Sequence, residues 1–197
     1  MNKIAVGKEC IDTVDITQPV DINIKRVART KGKYIEDITV CVLDRKENLK
    51  LVEEIRKTGA KIKFITDGDI SGAISTSIEN SSIDILMGIG GAKEGIIAAS
   101  ALRCLGGDIQ GQLLFENDDE KKISEEVLQD DPEKVITIND MILGGEIIVA
   151  ITGVTDGIIL PGVRHFKGGA ETSSLVLRQK THTLRKIYAT HQFDYKP

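Results

Sequence analysis

Tryptophan is absent from the sequence, and aromatic residues make up only 4% of it. A chain with so few rings offers little for the base stacking by which single-stranded nucleic acids are bound. The formal net charge is -4, and acidic and basic residues are interspersed instead of forming a basic stripe. Because nucleic-acid-binding proteins concentrate lysine and arginine on one face, we predict no nucleic-acid partner.

Long apolar runs are missing as well. No segment approaches the roughly 20 apolar residues that span a bilayer, and charged residues between positions 8 and 12 interrupt the apolar core that a signal peptide needs. We therefore expect no membrane association and a cytoplasmic location. Cysteines are few: Cys10, Cys41 and Cys104 are odd in number and far apart, which favours buried, reduced thiols over disulfides, metal ligands or a nucleophile.

The middle of the chain contains a repeated strand–helix pattern. Strand-like runs precede apolar-periodic helices three times, at Ile38–Leu43 with Lys46–Lys57, Lys61–Ile65 with Asp69–Ile78, and Ile83–Met87 with Lys93–Leu105. Such units form a parallel sheet with right-handed crossovers. Upstream, we predict a short strand at Lys3–Val6 and a helix at Val20–Thr30, which Pro19 opens.

After Gly106–Gly107 the pattern changes, and the strands there are expected to be antiparallel additions. The predicted elements are a strand at Ile109–Phe115, a charged helix at Asn117–Asp131, a short helix within Ile136–Leu143, a strand at Glu146–Gly153, a polar loop around Arg164–His165, and a hairpin of Ser173–Arg178 with Thr183–Thr190. The fold class is therefore α/β, with a layered mixed sheet of three parallel strand–helix units followed by antiparallel additions. We expect residues 1–197 to form a single domain.

A glycine-rich turn, Gly88–Gly95, joins the third strand to the third helix. Glycines let the backbone approach a ligand closely, exposed amides at a helix start attract anions, and Glu94 adds a carboxylate for a cation. Lys93 occupies the third glycine position of the dinucleotide fingerprint, which disfavours NAD. The turn alone fits either a ligand site or a tight turn in which Glu94 favours the positive end of the helix.

Ligands of open α/β sheets bind at the carboxyl edge of the strands. In this chain, three strand-to-helix loops are predicted to converge at that edge. These loops are Asp44–Glu47, Thr66–Asp69 and Gly88–Glu94. In the first loop, an arginine and a lysine either bind a phosphate or begin a solvated helix. In the second loop, the aspartates are either ordinary cap and turn residues, or one of them caps a helix while the other accepts hydrogen bonds from sugar hydroxyls.

Several motifs resemble those of the class II fructose-1,6-bisphosphatase family. The matching segments are Thr66–Asp69, Ile83–Gly95, Ala150–Gly157, Glu171–Arg178 and Thr183–Ile187. The resemblance covers essentially all of this chain, but only the carboxyl-terminal portion of the family. The amino-terminal, metal-binding half of the family carries an Asp-Pro-Ile-Asp/Glu-Gly-Thr signature, which this sequence does not contain. The resemblance therefore implies that this chain contains part of a sugar-phosphatase-like fold.

The resemblance also implies binding roles for individual residues, but it implies no catalytic residue in this chain. Asp67, Gly68, Asp69 and Gly91 would hold the sugar phosphate, Arg45, Lys46 and Glu47 would form the substrate loop, and Glu94 would be a metal ligand, the only one supplied here. The family usually has Pro-Arg-His where this chain has Lys-Glu-Asn after Arg45. The lost arginine and the added carboxylate predict weaker binding of the distal phosphate.

The implied activity is hydrolysis of the 1-phosphate of fructose 1,6-bisphosphate to fructose 6-phosphate, assisted by Mn²⁺ or Mg²⁺. The implied partners are the missing amino-terminal half of the same enzyme and further copies in a homo-oligomer, so this chain alone would be incomplete or inactive. The alternative is a non-enzymatic sugar-phosphate-binding or regulatory domain, which the missing metal ligands and Glu47 favour.

Overall fold

The computed structural model describes residues 1–66, 68–115, 117–128 and 131–195. The strands are β1 (Asn2–Val6), β2 (Thr39–Leu43), β3 (Lys61–Ile65), β4 (Ile85–Ile89), β5 (Asp108–Gln112), β6 (Ile136–Thr137), β7 (Ile148–Thr152), β8 (Arg164–Phe166), β9 (Gly169–Arg178) and β10 (Thr183–Gln192). The helices are α1 (Val20–Lys31), α2 (Leu49–Thr58), α3 (Asp69–Ser75), α4 (Ala92–Leu105), α5 (Asp118–Leu128) and α6 (Ile138–Met141). Within this described part of the chain, no helix is both long and apolar enough to cross a membrane.

The larger sheet has six strands in the order β3-β2-β4-β1-β5-β6. Strands β2, β3 and β4 are parallel, as the three predicted strand–helix units require. Strand β1 lies between β4 and β5 and is antiparallel to both, so that Lys3 pairs with Gly88 and Val6 pairs with Ile85. This insertion brings the amino end of β1 to the carboxyl edge of the parallel strands.

The antiparallel strands predicted for the second half are divided between two sheets. Strands β5 and β6 extend the larger sheet. Strands β7, β9 and β10 form a second, antiparallel sheet in the order β10-β9-β7, and β8 also pairs with β9. The prediction of a polar loop around Arg164–His165 was wrong, because β8 lies there. All three of its side chains are exposed, so the strand shows no alternation of buried and exposed residues.

Helices α3 and α4 lie between the two sheets. One face of the larger sheet packs against α1 and α2 through residues such as Ile24, Val27 and Ile55. The opposite face packs against α3 and α4, with Ala98 and Leu102 in that core. The far side of the helix pair packs against the second sheet in a third core, formed by Ile74, Ala101, Cys104, Leu160, Leu175 and Leu177. The small side chains of α4 fit a helix that is covered on two sides.

The carboxyl end of one predicted helix differs from the structure by more than one residue. Helix α3 ends at Ser75 and not at Ile78, because the amide and hydroxyl of Thr76 both donate to the carbonyl of Ala73, at 3.1 and 2.7 Å. A bond from residue i+3 closes the last turn of a helix in this way. The predicted end of the charged helix at Asp131 cannot be compared, since residues 129 and 130 lie outside the described ranges.

Candidate active site

Asn48 fastens the ends of β2 and β4 to each other. Its side-chain oxygen accepts a hydrogen bond from the amide of Ile89 at 2.7 Å, and its side-chain nitrogen donates to the carbonyls of Leu43 at 3.0 Å and Ile89 at 3.2 Å. The amide of Asp44 donates to the carbonyl of Ile65 at 2.9 Å, which joins the same loop to the end of β3. The three predicted loops therefore meet at one edge of the sheet.

Arg45, Lys46 and Glu47 form an exposed rim to this edge. They lie at a single 3₁₀ turn that precedes α2. Among the described residues, none of the three side chains has an ion-pair or hydrogen-bond partner. The structure thus leaves two cations and one carboxylate free in solvent beside the converging loops.

In the second loop, Asp67 lies outside the described residues, whereas Gly68 and Asp69 begin α3. Gly68 has a φ of 47°, in the left-handed region that favours glycine. Asp69 is 2% exposed and makes no side-chain capping bond to the helix. Its carboxylate forms an ion pair with Lys3 of β1. Of the two aspartates in this loop, Asp69 therefore does not cap α3.

Lys3 is a residue of this site that the sequence did not point to. It is 1% exposed, and its Nζ donates a hydrogen bond to the carbonyl of Gly91 at 2.6 Å. A lysine at the first positions of a predicted strand resembles an ordinary solvated strand end. Only the insertion of β1 beside β4 places it within the site, and neither composition nor periodicity reveals that insertion.

The glycines of the turn are required by the close approach of site side chains. A Cβ on Gly88, which has a φ of 129°, would lie 2.7 Å from the side-chain oxygen of Asn48. A Cβ on Gly90 would lie 2.6 Å from Oδ2 of Asp69 and 3.0 Å from Nζ of Lys3. The turn is therefore in direct contact with side chains from β1, from the loop before α2 and from α3.

Glu94 lies in the first turn of α4 and folds back over Gly91, the residue before the helix. A Cβ on Gly91 would collide with the carboxylate of Glu94. A negative charge in the first turn of a helix is favourable. The position of Glu94 therefore fits both interpretations of the sequence, a residue that favours the positive end of the helix and a ligand of a cation. The side chain of Glu94 is half-buried.

The described residues do not by themselves provide a metal site. Among them, no three histidine, cysteine, aspartate or glutamate side chains come close enough together to hold a metal ion. Asp69 is turned toward Lys3. Mg²⁺ and Mn²⁺ need several oxygen ligands, and Glu94 can supply only one carboxylate.

The cysteines are not candidates for a nucleophile. Cys10, Cys41 and Cys104 are buried and free, as predicted. Burial raises the pKa of the Cys41 thiol to about 12, and it also raises the pKa values of Cys10 and Cys104. All three groups are therefore protonated at neutral pH, when only the thiolate form is reactive.

Comparison with known proteins gives a consistent set of relatives. Residues 1–191 match the family described as bacterial fructose-1,6-bisphosphatase, glpX-encoded. The chain is 39% identical over 207 residues to a D-fructose 1,6-bisphosphatase class 2/sedoheptulose 1,7-bisphosphatase of Synechococcus sp. (strain JA-2-3B'a(2-13)), covering 98% of this chain and 59% of that protein. It is 37% identical over 206 residues to the protein of the same description from Synechococcus elongatus, covering 98% of this chain and 60% of the relative. The chain thus spans about three-fifths of the length of these relatives.

Proposed function

The chain belongs to the family of bacterial, glpX-encoded fructose-1,6-bisphosphatases, and from this membership we propose that it supplies the sugar-phosphate-binding wall of such an enzyme. The proposed reaction is hydrolysis of the 1-phosphate of fructose 1,6-bisphosphate, which yields fructose 6-phosphate and inorganic phosphate. The observation that carries the proposal is the meeting of three loops at one sheet edge, which brings the start of α4 and the exposed rim together.

Each part of this edge has a proposed role toward the substrate. The glycine turn lets the sugar phosphate approach the backbone at Gly91, where the first amides of α4 favour an anion. Arg45 and Lys46 are free cations that attract the distal phosphate, and the carboxylate of Glu47 beside them weakens that attraction. We propose further contacts from the loop that contains Asp67 and Gly68.

Glu94 is proposed as one ligand of a divalent cation, Mn²⁺ or Mg²⁺. Such a cation supplies charge neutralisation on phosphoryl oxygens and an activated water in metal-dependent phosphatases. Because the described residues offer no further converging ligands, we propose that the other ligands come from the amino-terminal, metal-binding half that the family resemblance implies.

The test is reconstitution of phosphate release. The chain is combined with the part of the Synechococcus elongatus relative that lies outside the matched 60%, and phosphate release from fructose 1,6-bisphosphate is measured with Mn²⁺. We expect release only from the combination, and loss of release with Glu94→Gln. Glu79→Gln, an exposed glutamate away from this edge, is the matched control and should leave the release unchanged. A complex that co-elutes but releases no phosphate, or polypeptides that do not associate, would contradict the proposal.

A non-enzymatic sugar-phosphate sensor is the second candidate function. It is supported by the absence of converging metal ligands among the described residues. A sensor needs no metal, so calorimetry in the presence of EDTA distinguishes the two functions. Binding of fructose 6-phosphate by this chain alone, combined with no hydrolysis by the reconstituted complex, would favour the sensor. Lack of any binding would remove it.

A further inference from the structure

A buried ion pair lies at the centre of the candidate site. Lys3 and Asp69 are 1% and 2% exposed, and their side chains are in direct contact. Lysine and aspartate are almost never fully buried unless they are paired. In the described part of the chain, no other charged group contacts the carboxylate of Asp69, and both of its oxygens lack a separate hydrogen bond.

The ammonium group of Lys3 is held in a cradle of glycines. Its Nζ donates to the carbonyl of Gly91 at 2.6 Å. A Cβ on Gly90 would lie 3.0 Å from the same Nζ, and a Cβ on Gly95 would lie 3.2 Å from Cδ of Lys3. The side chain is therefore packed directly against the backbone of the turn and of α4.

Stability alone does not account for such a pair. The loss of hydration of two buried charges largely offsets their attraction, so that apolar side chains of similar volume often serve stability equally well. What the pair does provide is a fixed geometry. It connects β1, the start of α3 and the residue before α4, which are three separate elements of the candidate site.

We propose that Lys3 is a positioning residue of this site. Its ammonium fixes the carboxylate of Asp69 and the carbonyl of Gly91 relative to each other, and so sets the spacing between the starts of α3 and α4. It also neutralises Asp69, so that an incoming phosphate does not meet an uncompensated carboxylate. The inference rests on the proposed function, because the sugar phosphate is placed across these two helix starts.

The test compares Lys3→Met, Asp69→Asn and the double variant in the isolated chain. Fructose 6-phosphate binding is measured by calorimetry, and backbone hydrogen exchange is measured over residues 68–72 and 90–95. We expect each single variant to weaken binding by roughly tenfold or more. The double variant should bind about as weakly as either single one, since two residues that act as one unit are not additive. Exchange should become faster in both segments.

Lys25→Met is the matched control, because Lys25 forms an exposed ion pair with Asp21 on α1, and it should change neither readout. The proposal is overturned if Lys3→Met lowers the unfolding temperature but keeps the affinity, or if the losses of the two single variants add in the double variant. If the unsubstituted chain binds no fructose 6-phosphate, phosphate release by the reconstituted complex tests the proposed function instead, and hydrogen exchange alone decides the positioning role. Unchanged exchange over residues 90–95 in Lys3→Met would then refute it.

Discussion

The side chain of Asn48 holds two strand ends of the candidate site together. One buried side chain serves three backbone groups where β2 and β4 end, two of them on Ile89. Without it, the amide of Ile89 would lose its acceptor, at a cost of roughly 1–3 kcal/mol, and the carbonyl of Leu43 would keep only the bond that it accepts from the amide of Arg45. The alignment of the loop before α2 with the glycine turn therefore depends on this single residue.

Asn48→Leu should lower the free energy of unfolding by roughly 2–4 kcal/mol, because leucine fills the space but makes none of the three hydrogen bonds and leaves the amide of Ile89 without its acceptor. Urea unfolding followed by circular dichroism measures the change. Asn139→Ala is the control, since Asn139 is exposed and accepts its hydrogen bond from Arg103 at the surface; its effect should stay within roughly 0.5 kcal/mol. Similar losses in the two variants would show that Asn48 has no special role.

Two neighbouring glycines should respond in opposite ways to alanine. In Gly90→Ala the added methyl meets Asp69, Leu43 and Lys3 within 3.0 Å, and these buried groups cannot move without breaking the ion pair. We expect a loss of roughly 1–3 kcal/mol in unfolding free energy. In Gly91→Ala the methyl meets only the carboxylate of Glu94, the end of a flexible side chain that can turn away, so the loss should be under about 1 kcal/mol.

The same urea titrations check this pair of variants, and the expectation fails if Gly91→Ala is the more damaging of the two. Phosphate release is the second measurement, and it tests function separately from stability. Because Gly91→Ala displaces Glu94, it should reduce phosphate release in the reconstituted complex even where stability is retained. Gly91→Ala with full release would place the metal ligand elsewhere.

The location of the candidate site was predictable at the level of loops, and its buried contacts were not. Turn residues after three periodic strands placed Arg45, Gly68 and Gly91 near one edge. The contacts of Asn48 and Lys3 arise from tertiary pairing, since each side chain reaches backbone or side-chain groups more than 40 residues away. Sequence periodicity reports only which face a residue occupies, and so it cannot identify such partners.

At the opposite edge of the sheet, the carboxylate of Asp84 joins several elements. It accepts hydrogen bonds from the amide of Thr39 at 3.0 Å and from Lys33 at 2.7 Å, and Lys31 lies 3.0 Å away. Burial alone would raise the pKa of Asp84, but the bonds from Lys33, Thr39 and Lys31 outweigh it and lower that pKa below its ordinary value. The end of α1 and the starts of β2 and β4 are therefore fastened at one ionised group.

Asp84→Asn should destabilise the protein by roughly 3 kcal/mol at pH 7, because it leaves the partly buried Lys31 without one of its two carboxylate partners. A carboxylate whose pKa is lowered by folding contributes stability above its unfolded pKa, and this is lost as the pH falls through the folded value. The difference between the two proteins should therefore shrink below about pH 4. Urea unfolding at pH 7 and pH 3 checks this.

Asp21→Asn provides the comparison for that experiment, since Asp21 forms an exposed pair with Lys25 and should matter little at either pH. A destabilisation by Asp84→Asn that is equal at pH 7 and pH 3 would show that its charge is not responsible.

Element by element, the sequence predicted the part of the fold that local periodicity controls. The strand at Lys61–Ile65 has the predicted bounds, and β2 and α4 differ by one residue at their starts. The position of β1 between β4 and β5 was not predictable, because strand order depends on pairing partners far along the chain. The separation of a second sheet from the first was missed for the same reason.

On the scale of the whole molecule, α4 joins the two sheets into one packed body. Its residues Ala98 and Leu102 belong to the core of the larger sheet, whereas Ala101 and Cys104 belong to the core of the second sheet. Within the described chain, α3 and α4 together form the layer between the two sheets. A loss of packing on one side of α4 should therefore also destabilise the packing on its other side.

This arrangement predicts that residues 1–197 unfold as one cooperative domain. Leu177→Ala, which removes a fully buried side chain of β9, should cost roughly 2–5 kcal/mol. Native-state hydrogen exchange should then accelerate by the same factor in β9 and in β2, although Leu177 lies in the core of the second sheet and β2 belongs to the larger one. Val176→Ala is the control, because Val176 is half-buried on the outer face of the same strand, and its cost should be smaller. Acceleration confined to β7, β9 and β10 would show instead that the second sheet opens independently, because α4 would then keep its packing against the larger sheet while the outer layer unfolds.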